Sequence, residues 1–194
     1  MIILASASPT RQLMLANAGV IFNSIRPDVD ESSLLKENPA WTPTKASLSL
    51  AAAKAKDVSR RNPQAIVIGA DQVLSFADHI YSKPLDIDGA RRQLKELRGQ
   101  THQLISSAVC ARNGAELWRI TCSAHLTMRN ISDGFLESYL ARNGIKSLAS
   151  VGAYQIEGLG SQLFDKIDGD YFTILGLPLL PLLEFLRAHG EIET

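Results

Sequence analysis

The sequence predicts an α/β fold built on a mixed sheet, and three observations carry that prediction. Helical and strand-like patterns alternate along the chain, the apolar run Ala65-Ile66-Val67-Ile68-Gly69-Ala70 reads as a strand buried on both faces, and Asn113-Gly114 marks a hairpin. Parallel strands need long crossovers, whereas a two-residue turn forces antiparallel pairing, so both kinds of pairing belong in the sheet.

Length and composition set the frame. With 194 residues, 45% of them hydrophobic, the chain is long enough for one sizeable core, and a single domain over 1–194 is the expectation. Lys and Arg number 20 and Asp and Glu number 20, so bulk charge draws the protein neither to nucleic acid nor to an anionic membrane. Two cysteines, Cys110 and Cys122, are too few for a disulfide framework and read as reduced thiols. The opening residues Met1 to Ser6 lack the basic and apolar regions of a secretory leader, so the cytoplasm is the expected location. The apolar run from Ile174 to Leu183 is shorter than the ~20 residues a bilayer span needs and contains Pro178 and Pro181, so it reads as core.

Taken in order, Ile2 to Leu4 form a short strand, and Ser8-Pro9 places a capping hydroxyl before a proline, which starts a helix. Val20 to Ile25 read as a strand and residues 26–31 as a polar turn collecting acids. From Lys45 to Arg60, Leu48, Ala51, Ala52, Ala55 and Val58 recur at helical spacing, with Lys45, Lys54 and Lys56 assigned elsewhere on the wheel. The buried strand at Ala65–Ala70 then delivers Asp71-Gln72 at or near its end. Asp86 to Arg98 reads as a helix closed by Gly99, Thr101 to Ala111 and Ala115 to Met128 as an antiparallel pair, Ser132 as the cap of a helix ending near Gly144, and about Leu177 to His189 as the last helix.

Chemistry can be sought at four places. A strand turns into a helix at Ser6-Ala7-Ser8-Pro9-Thr10-Arg11, where free backbone amides favour a phosphate and Arg11 can grip it; a plain helix cap with a solvated arginine is the bland reading. Asp30, Glu31 and Asp71 are carboxylates suited to magnesium or to deprotonating water, against the alternative of exposed loop acids. Lys54 and Lys83, the latter in Ser82-Lys83-Pro84, can neutralise a polyphosphate, although a lone lysine is ordinarily solvated. Gln155-Ile156-Glu157-Gly158-Leu159-Gly160 lets backbone approach a ligand or simply makes a tight turn. His79, His102, His125 and His189 are scattered and read as surface or satisfied partly buried residues. No phosphate-loop motif, zinc-spaced cluster or serine nucleophile elbow is present.

Several of these segments together resemble the Maf family. They are Leu4 to Arg11, Asp30-Glu31, Lys54-Ala55, Gly69-Ala70-Asp71-Gln72, Lys83-Pro84, Leu97 to His102, Gly152 to Gly160, and Gly169-Asp170-Tyr171 with Gly176-Leu177-Pro178-Leu179, in that order and spanning essentially the whole chain. The resemblance implies a nucleoside triphosphate pyrophosphatase that cuts between the α- and β-phosphates, with a divalent metal (magnesium, or manganese or cobalt). It also implies a homodimer, and a fold like that of the inosine triphosphate pyrophosphatases, with an elongated mixed sheet flanked by helices, two lobes and a central cleft. By position, Asp71 matches the family's proton acceptor, with Glu31 and Lys83 catalytic beside it, Glu31 and Asp71 holding the metal, and Ser6, Ser8, Arg11 and Lys54 binding phosphate.

Base specificity falls on Thr10, Gln72 and Glu157. Gln72 and Glu157 resemble the branch acting on 7-methylguanosine triphosphate, and a carboxylate can accept from both the ring N–H and the amino group of guanine. All three positions differ from the thymidine and uridine triphosphate branch, but Thr10 also stands where the 7-methylguanosine triphosphate branch has an aromatic residue, so a pyrimidine or modified-pyrimidine substrate is the alternative. A nucleotide-binding regulator of cell division and a phosphatase removing the terminal phosphate are the competing readings. Clearing modified nucleotides from the pool and control of growth both stay open as the role the resemblance implies.

Overall fold

A computed structural model describes residues 1–193. β1 (Ile2–Ala5), all four residues of which are buried, lies between β2 (Phe22–Ser24) and β3 (Ile66–Phe76) and is parallel to both. The tip of β3 turns through Ala77 and Asp78, both at positive φ, into the short antiparallel β4 (His79–Tyr81). β5 (Thr101–Arg112) and β6 (Ala115–Met128) form the hairpin that Asn113-Gly114 predicts, and β7 (Phe164–Asp168) adds antiparallel to β6. Among the described residues the sheet therefore has seven strands in the order β2-β1-β3-β5-β6-β7, with β4 on β3. The expected mixed α/β architecture is what the chain adopts.

The chain divides into two compact units: Met1–Gln72, Ile105–Cys122 and the residues from Tyr171 onward form one, and Val73–Leu104 with Ser123–Asp170 form the other. β3, β5 and β6 each have residues in both.

In the first unit the strand period of two sorts the side chains to opposite faces. Ile2 and Leu4 of β1, with Ile66, Ile68 and Ala70 of β3, pack with Leu15 of α1 (Pro9–Asn17) and with Leu182 and Leu186 of α7 (Leu179–Ala188). The alternate residues Ile3, Ala5, Ala65 and Val67 pack with Val58 of α3 (Pro43–Arg61) on the other face. Gly69 marks the closest approach there, since a Cβ added to it would lie 2.6 Å from Ala55 N and nearer still to Ala51 O. Ser8 caps α1 ahead of Pro9 as predicted, and Thr42 does the same for α3 ahead of Pro43.

In the second unit, α4 (Ile87–Leu97) is capped by Asp86 and buries Ala90, Leu94 and Leu97. α5 (Asp133–Asn143) is capped by Ser132 and buries Leu136, Tyr139 and Leu140. Three 3₁₀ turns follow, at Gly144–Leu148, Val151–Ala153 and Leu159–Leu163.

Some boundaries differ from the expectations. The polar turn at 26–31 ends in a helix, α2 (Glu31–Glu37), because Asp30 caps it by accepting from Ser33 N at 3.0 Å. The strand expected to end near Asp71 continues to Phe76, carried on by pairing with β4. The last helix is preceded by a separate one-turn helix, α6 (Tyr171–Leu175), and Gly176 at φ +100 breaks the two apart. Lys54 is 6% exposed rather than solvated: it lies one turn after Leu50 and Ala51 and one before Val58, on the buried face of α3.

Candidate active site

The alternation that sorts the core also sorts the polar groups that follow it. Val67, Gly69 and Asp71 share the face of β3 toward α3, so the Asp71 carboxylate, 5% exposed, meets Lys54 instead of water. Lys54 Nζ donates to Asp71 Oδ1 at 2.6 Å and pairs with Glu31 Oε1 at 2.9 Å. Glu31 reaches this ammonium from the first turn of α2 with its side chain half exposed. Burial pushes the Asp71 carboxyl up from its ordinary value, and the charges of Lys54 and Arg11 oppose that rise without cancelling it. A carboxylate raised in this way is a better proton acceptor near neutral pH than a solvated one. Beneath it, the buried Ser47 of α3 donates to Asp71 O at 3.1 Å and lies 2.9 Å from Ser107 Oγ, tying α3, β3 and β5 together at the site. Asp30 takes no part in this cluster. Its carboxylate accepts from Ser32, Ser33 and the Ser33 amide, which holds it at about 2.

The opposite face of β3 carries Gln72. Its Nε2 donates to Ser106 Oγ at 3.0 Å, Thr173 O at 3.0 Å and Ile174 O at 2.9 Å, so both amide hydrogens are committed to protein acceptors. Arg11 of α1 donates from Nε to Gly176 O at 2.8 Å and from Nη1 to Ser6 Oγ at 3.5 Å. Burial pulls the Arg11 guanidinium down from its usual value while Asp71 and Glu31 pull it up, which places its charge within electrostatic reach of both acids. Ser6 is buried and its Oγ also accepts from Ser8 N at 3.1 Å, while Ser8 Oγ takes the Arg11 amide as the cap of α1. Thr10 is half-buried in the first turn of that helix.

Lys83 and Glu157 belong to the second unit. Both are exposed, and neither makes an ion pair or side-chain hydrogen bond among the described residues. The Lys83 segment is fixed by α4: Gln93 Nε2 donates to Ser82 O at 2.7 Å and Tyr81 OH donates to Glu96 at 2.7 Å. The segment before Glu157 rests on a buried aromatic group, where His102 Nε2 and Tyr154 OH are 2.6 Å apart and Phe164 packs on both rings. His102 is 2% exposed with Nδ1 unpartnered, so it is neither a surface nor a fully satisfied residue, and burial holds its pKa at about 4. Its place in the Leu97 to His102 segment was the only sequence signal for it. Gln93, Ser47 and Ser106 carried none, because each gains its partner only across the fold.

The donor set fits a divalent metal of the magnesium type. Two carboxylates, Glu31 and Asp71, already converge on one cationic atom, and hard oxygen ligands in that number suit an ion that completes its shell with water and phosphate oxygens. Among the described residues no group of three or more His, Cys, Asp or Glu side chains forms a complete protein cage.

The family model for Maf-like proteins matches residues 1–189. The chain belongs to the Maf family. Of its Maf relatives, the 7-methyl-GTP pyrophosphatase of Brucella abortus biovar 1 (strain 9-941) is 54% identical over 195 residues, covering 99% of this chain and 98% of that protein. The nucleoside triphosphate pyrophosphatase of Caulobacter vibrioides is 49% identical, covering 98% of this chain and 96% of that one. Among solved structures, a HAM1 protein from Coxiella burnetii overlaps 67% of this chain and 73% of its own at 13% identity, with a TM-score of 0.47. The Maf assignment rests on the sequence matches.

Proposed function

We propose that this Maf protein hydrolyses a nucleoside triphosphate between its α- and β-phosphates, releasing the monophosphate and pyrophosphate. The observation that carries this is the buried Asp71 carboxylate held at 2.6 Å by Lys54, with Glu31 on the same ammonium and the Arg11 charge in reach. The names of the Brucella and Caulobacter relatives support the same reaction.

In this reading Asp71 takes a proton from water as the water oxygen bonds to the α-phosphorus. The bond from that phosphorus to the bridging oxygen breaks, and pyrophosphate leaves with the electron pair. Arg11, Lys54 and the Ser6-to-Ser8 turn stabilise charge on the phosphoryl oxygens, which is the main task of a protein in phosphoryl transfer. A divalent ion (magnesium, or manganese or cobalt) held by Glu31 and Asp71 would neutralise further phosphate charge. Lys83 matches an active-site position of the family pattern and is assigned, with Arg11 and Lys54, to the charge on the phosphoryl and leaving oxygens. Glu157, whose carboxylate is exposed, is the base reader, and a guanine edge such as that of 7-methyl-GTP suits two-point acceptance by a carboxylate. A homodimer, a cytoplasmic location and independence from nucleic acid and membrane belong to the same reading. Among the described residues no helix is long and apolar enough to cross a membrane.

The test is magnesium-dependent hydrolysis of common and 7-methylated nucleoside triphosphates, with pyrophosphate resolved from orthophosphate. Pyrophosphate should dominate, and Asp71→Asn should lower its release about 10²–10⁴-fold while the protein stays folded. Orthophosphate as the main product, or near-normal turnover by the variant, overturns the mechanism. A pyrimidine preference moves the base assignment alone.

A further inference from the structure

The loop that carries Glu157 is pinched at its root. Tyr154 precedes the loop and Phe164 follows it; their rings meet edge to face at 4.7 Å between centroids, and the His102 ring lies 5.6 Å from the first and 5.9 Å from the second. His102 is the second residue of β5, and its Nε2 is hydrogen-bonded to Tyr154 OH at 2.6 Å. The chain bends sharply to bring Tyr154 there. Gly152 at φ +78 and Ala153 at φ +62 are both left-handed, and a Cβ on Gly152 would lie 2.7 Å from Tyr154 Cε1, so the ring folds back over its own glycine. Tyr139 OH of α5 donates to Ala153 O at 3.0 Å, and Ser150 Oγ donates to Tyr154 O. Beyond Tyr154 the loop is tight: Gly158 N donates to Gln155 O at 3.2 Å, and a Cβ on Gly160 would strike that same carbonyl. Glu157 lies exposed on this turn.

Packing alone does not ask for the polar pair. The buried His102 Nδ1 has no partner among the described residues, and a buried polar atom left unpaired costs stability, whereas two apolar rings of the same shape would fill the space without that cost. Ala153 is a second departure from what stability alone would select, since left-handed backbone is unfavourable for a residue with a Cβ. What the hydrogen bond supplies is direction: apolar rings can slide past one another, while a bond between two particular atoms fixes the Tyr154 ring and the short stretch of chain that follows it. We propose that His102, acting through Tyr154, is a positioning residue for base recognition. The pair fastens the root of the loop 155–163 to β5, and the tight turn from Gln155 to Gly158 carries that fixed position to Glu157, whose carboxylate is then held ready for the two donors of a guanine edge. The inference rests on the pyrophosphatase reading with Glu157 as its base reader, and adds to it a buried residue that acts on selectivity without touching the substrate.

The experiment compares the wild type with Tyr154→Phe, His102→Phe and His102→Gln, each alone and combined with Glu157→Gln, on 7-methyl-GTP, GTP and UTP. Tyr154→Phe, which removes one hydroxyl and keeps the ring, should raise KM about tenfold for the two guanine nucleotides, with kcat on them and kcat/KM on UTP within twofold of the wild type. His102→Phe should do the same, and His102→Gln, which keeps a polar partner for Tyr154, should restore most of the loss. When Glu157 is already glutamine, losing the pair should change the guanine nucleotides less than twofold. A merely structural role would lower kcat on all three nucleotides alike. A second readout needs no turnover: in the nucleotide-free protein the amides of residues 156–160 should exchange with deuterium at least tenfold faster in Tyr154→Phe than in the wild type, with those of α1 and α3 unchanged. Equal losses on all three nucleotides, losses that add to those of Glu157→Gln, or unchanged exchange at 156–160 would overturn the proposal. An inactive wild type sinks the pyrophosphatase reading and equal losses from Glu157→Gln alone sink its base reader, while the exchange measurement still decides whether His102 and Tyr154 hold the loop.

Discussion

Lys54 has two acidic partners, Asp71 and Glu31, and little contact with water. Removing one member of such a buried pair leaves an uncompensated charge and costs about 3–5 kcal/mol, whereas the intact pair contributes far less to stability. The pair is therefore better explained by chemistry than by folding. His102 is the second buried titratable residue of note, and here the sign of the pH effect follows from its pKa. Its folded value of about 4 lies below the ordinary 6.5, so the folded state binds fewer protons than the unfolded chain between those values. Stability is then fully present above pH 6.5 and is lost as pH falls toward 4. By pH 5 the loss from this residue should be about 2 kcal/mol. Urea midpoints at pH 7 and pH 5 should show this loss in the wild type and a markedly smaller one in His102→Gln, which keeps a polar partner for Tyr154. An equal loss in both proteins would show that His102 is not the group titrating.

At the scale of elements, the site depends on how closely α3 lies on β3. Lys54 is on the helix and Asp71 on the strand, and the contact at Gly69 sets the spacing between them. Gly69→Ala should force the helix outward, because the atoms in the way are the backbone of Ala51 and Ala55, which cannot rotate aside. The expected cost is about 3 kcal/mol, with pyrophosphatase activity falling more than the folded fraction does. Denaturant melts and turnover measured on the same samples check this, and a variant as stable and active as the wild type would mean that α3 can slide without harm. The short α2 plays a supporting part. Capped by Asp30, it begins at Glu31 and so presents that carboxylate to Lys54.

At the scale of the molecule, the first unit is assembled from three separated stretches of chain, and its two ends are tied to one another. Glu191 accepts from the Met1 ammonium at 3.2 Å and from Arg112 at 2.8 Å, joining the start of β1, the end of β5 and the residues after α7. The Glu191 side chain is 14% exposed, so these contacts are less screened than ordinary surface pairs. Glu191→Gln should lower stability by about 1 kcal/mol, read from a urea melt, with no change in the nucleotide ratio. An unchanged midpoint would mark the tie as incidental.

The sequence by itself determined the helices with strong caps, the Asn113-Gly114 hairpin, the two-sided burial of β3 and, through the joint order of its motifs, the family. These are local signals: a capping hydroxyl, a turn that needs positive φ and an apolar run act within a few residues of themselves. The marginal elements α2, β4, α6 and β7 were missed because each is seven residues or fewer and is held by pairing or packing from elsewhere in the chain. The site was legible as a set of residue types but not as an arrangement. Lys54 read as solvated until α3 was laid on β3, and Asp71 and Gln72 read as a pair at a strand end. Only the tertiary structure sent them to opposite faces, one to a lysine and the other to a helix terminus, because a strand's alternation acquires meaning only when both of its faces are covered.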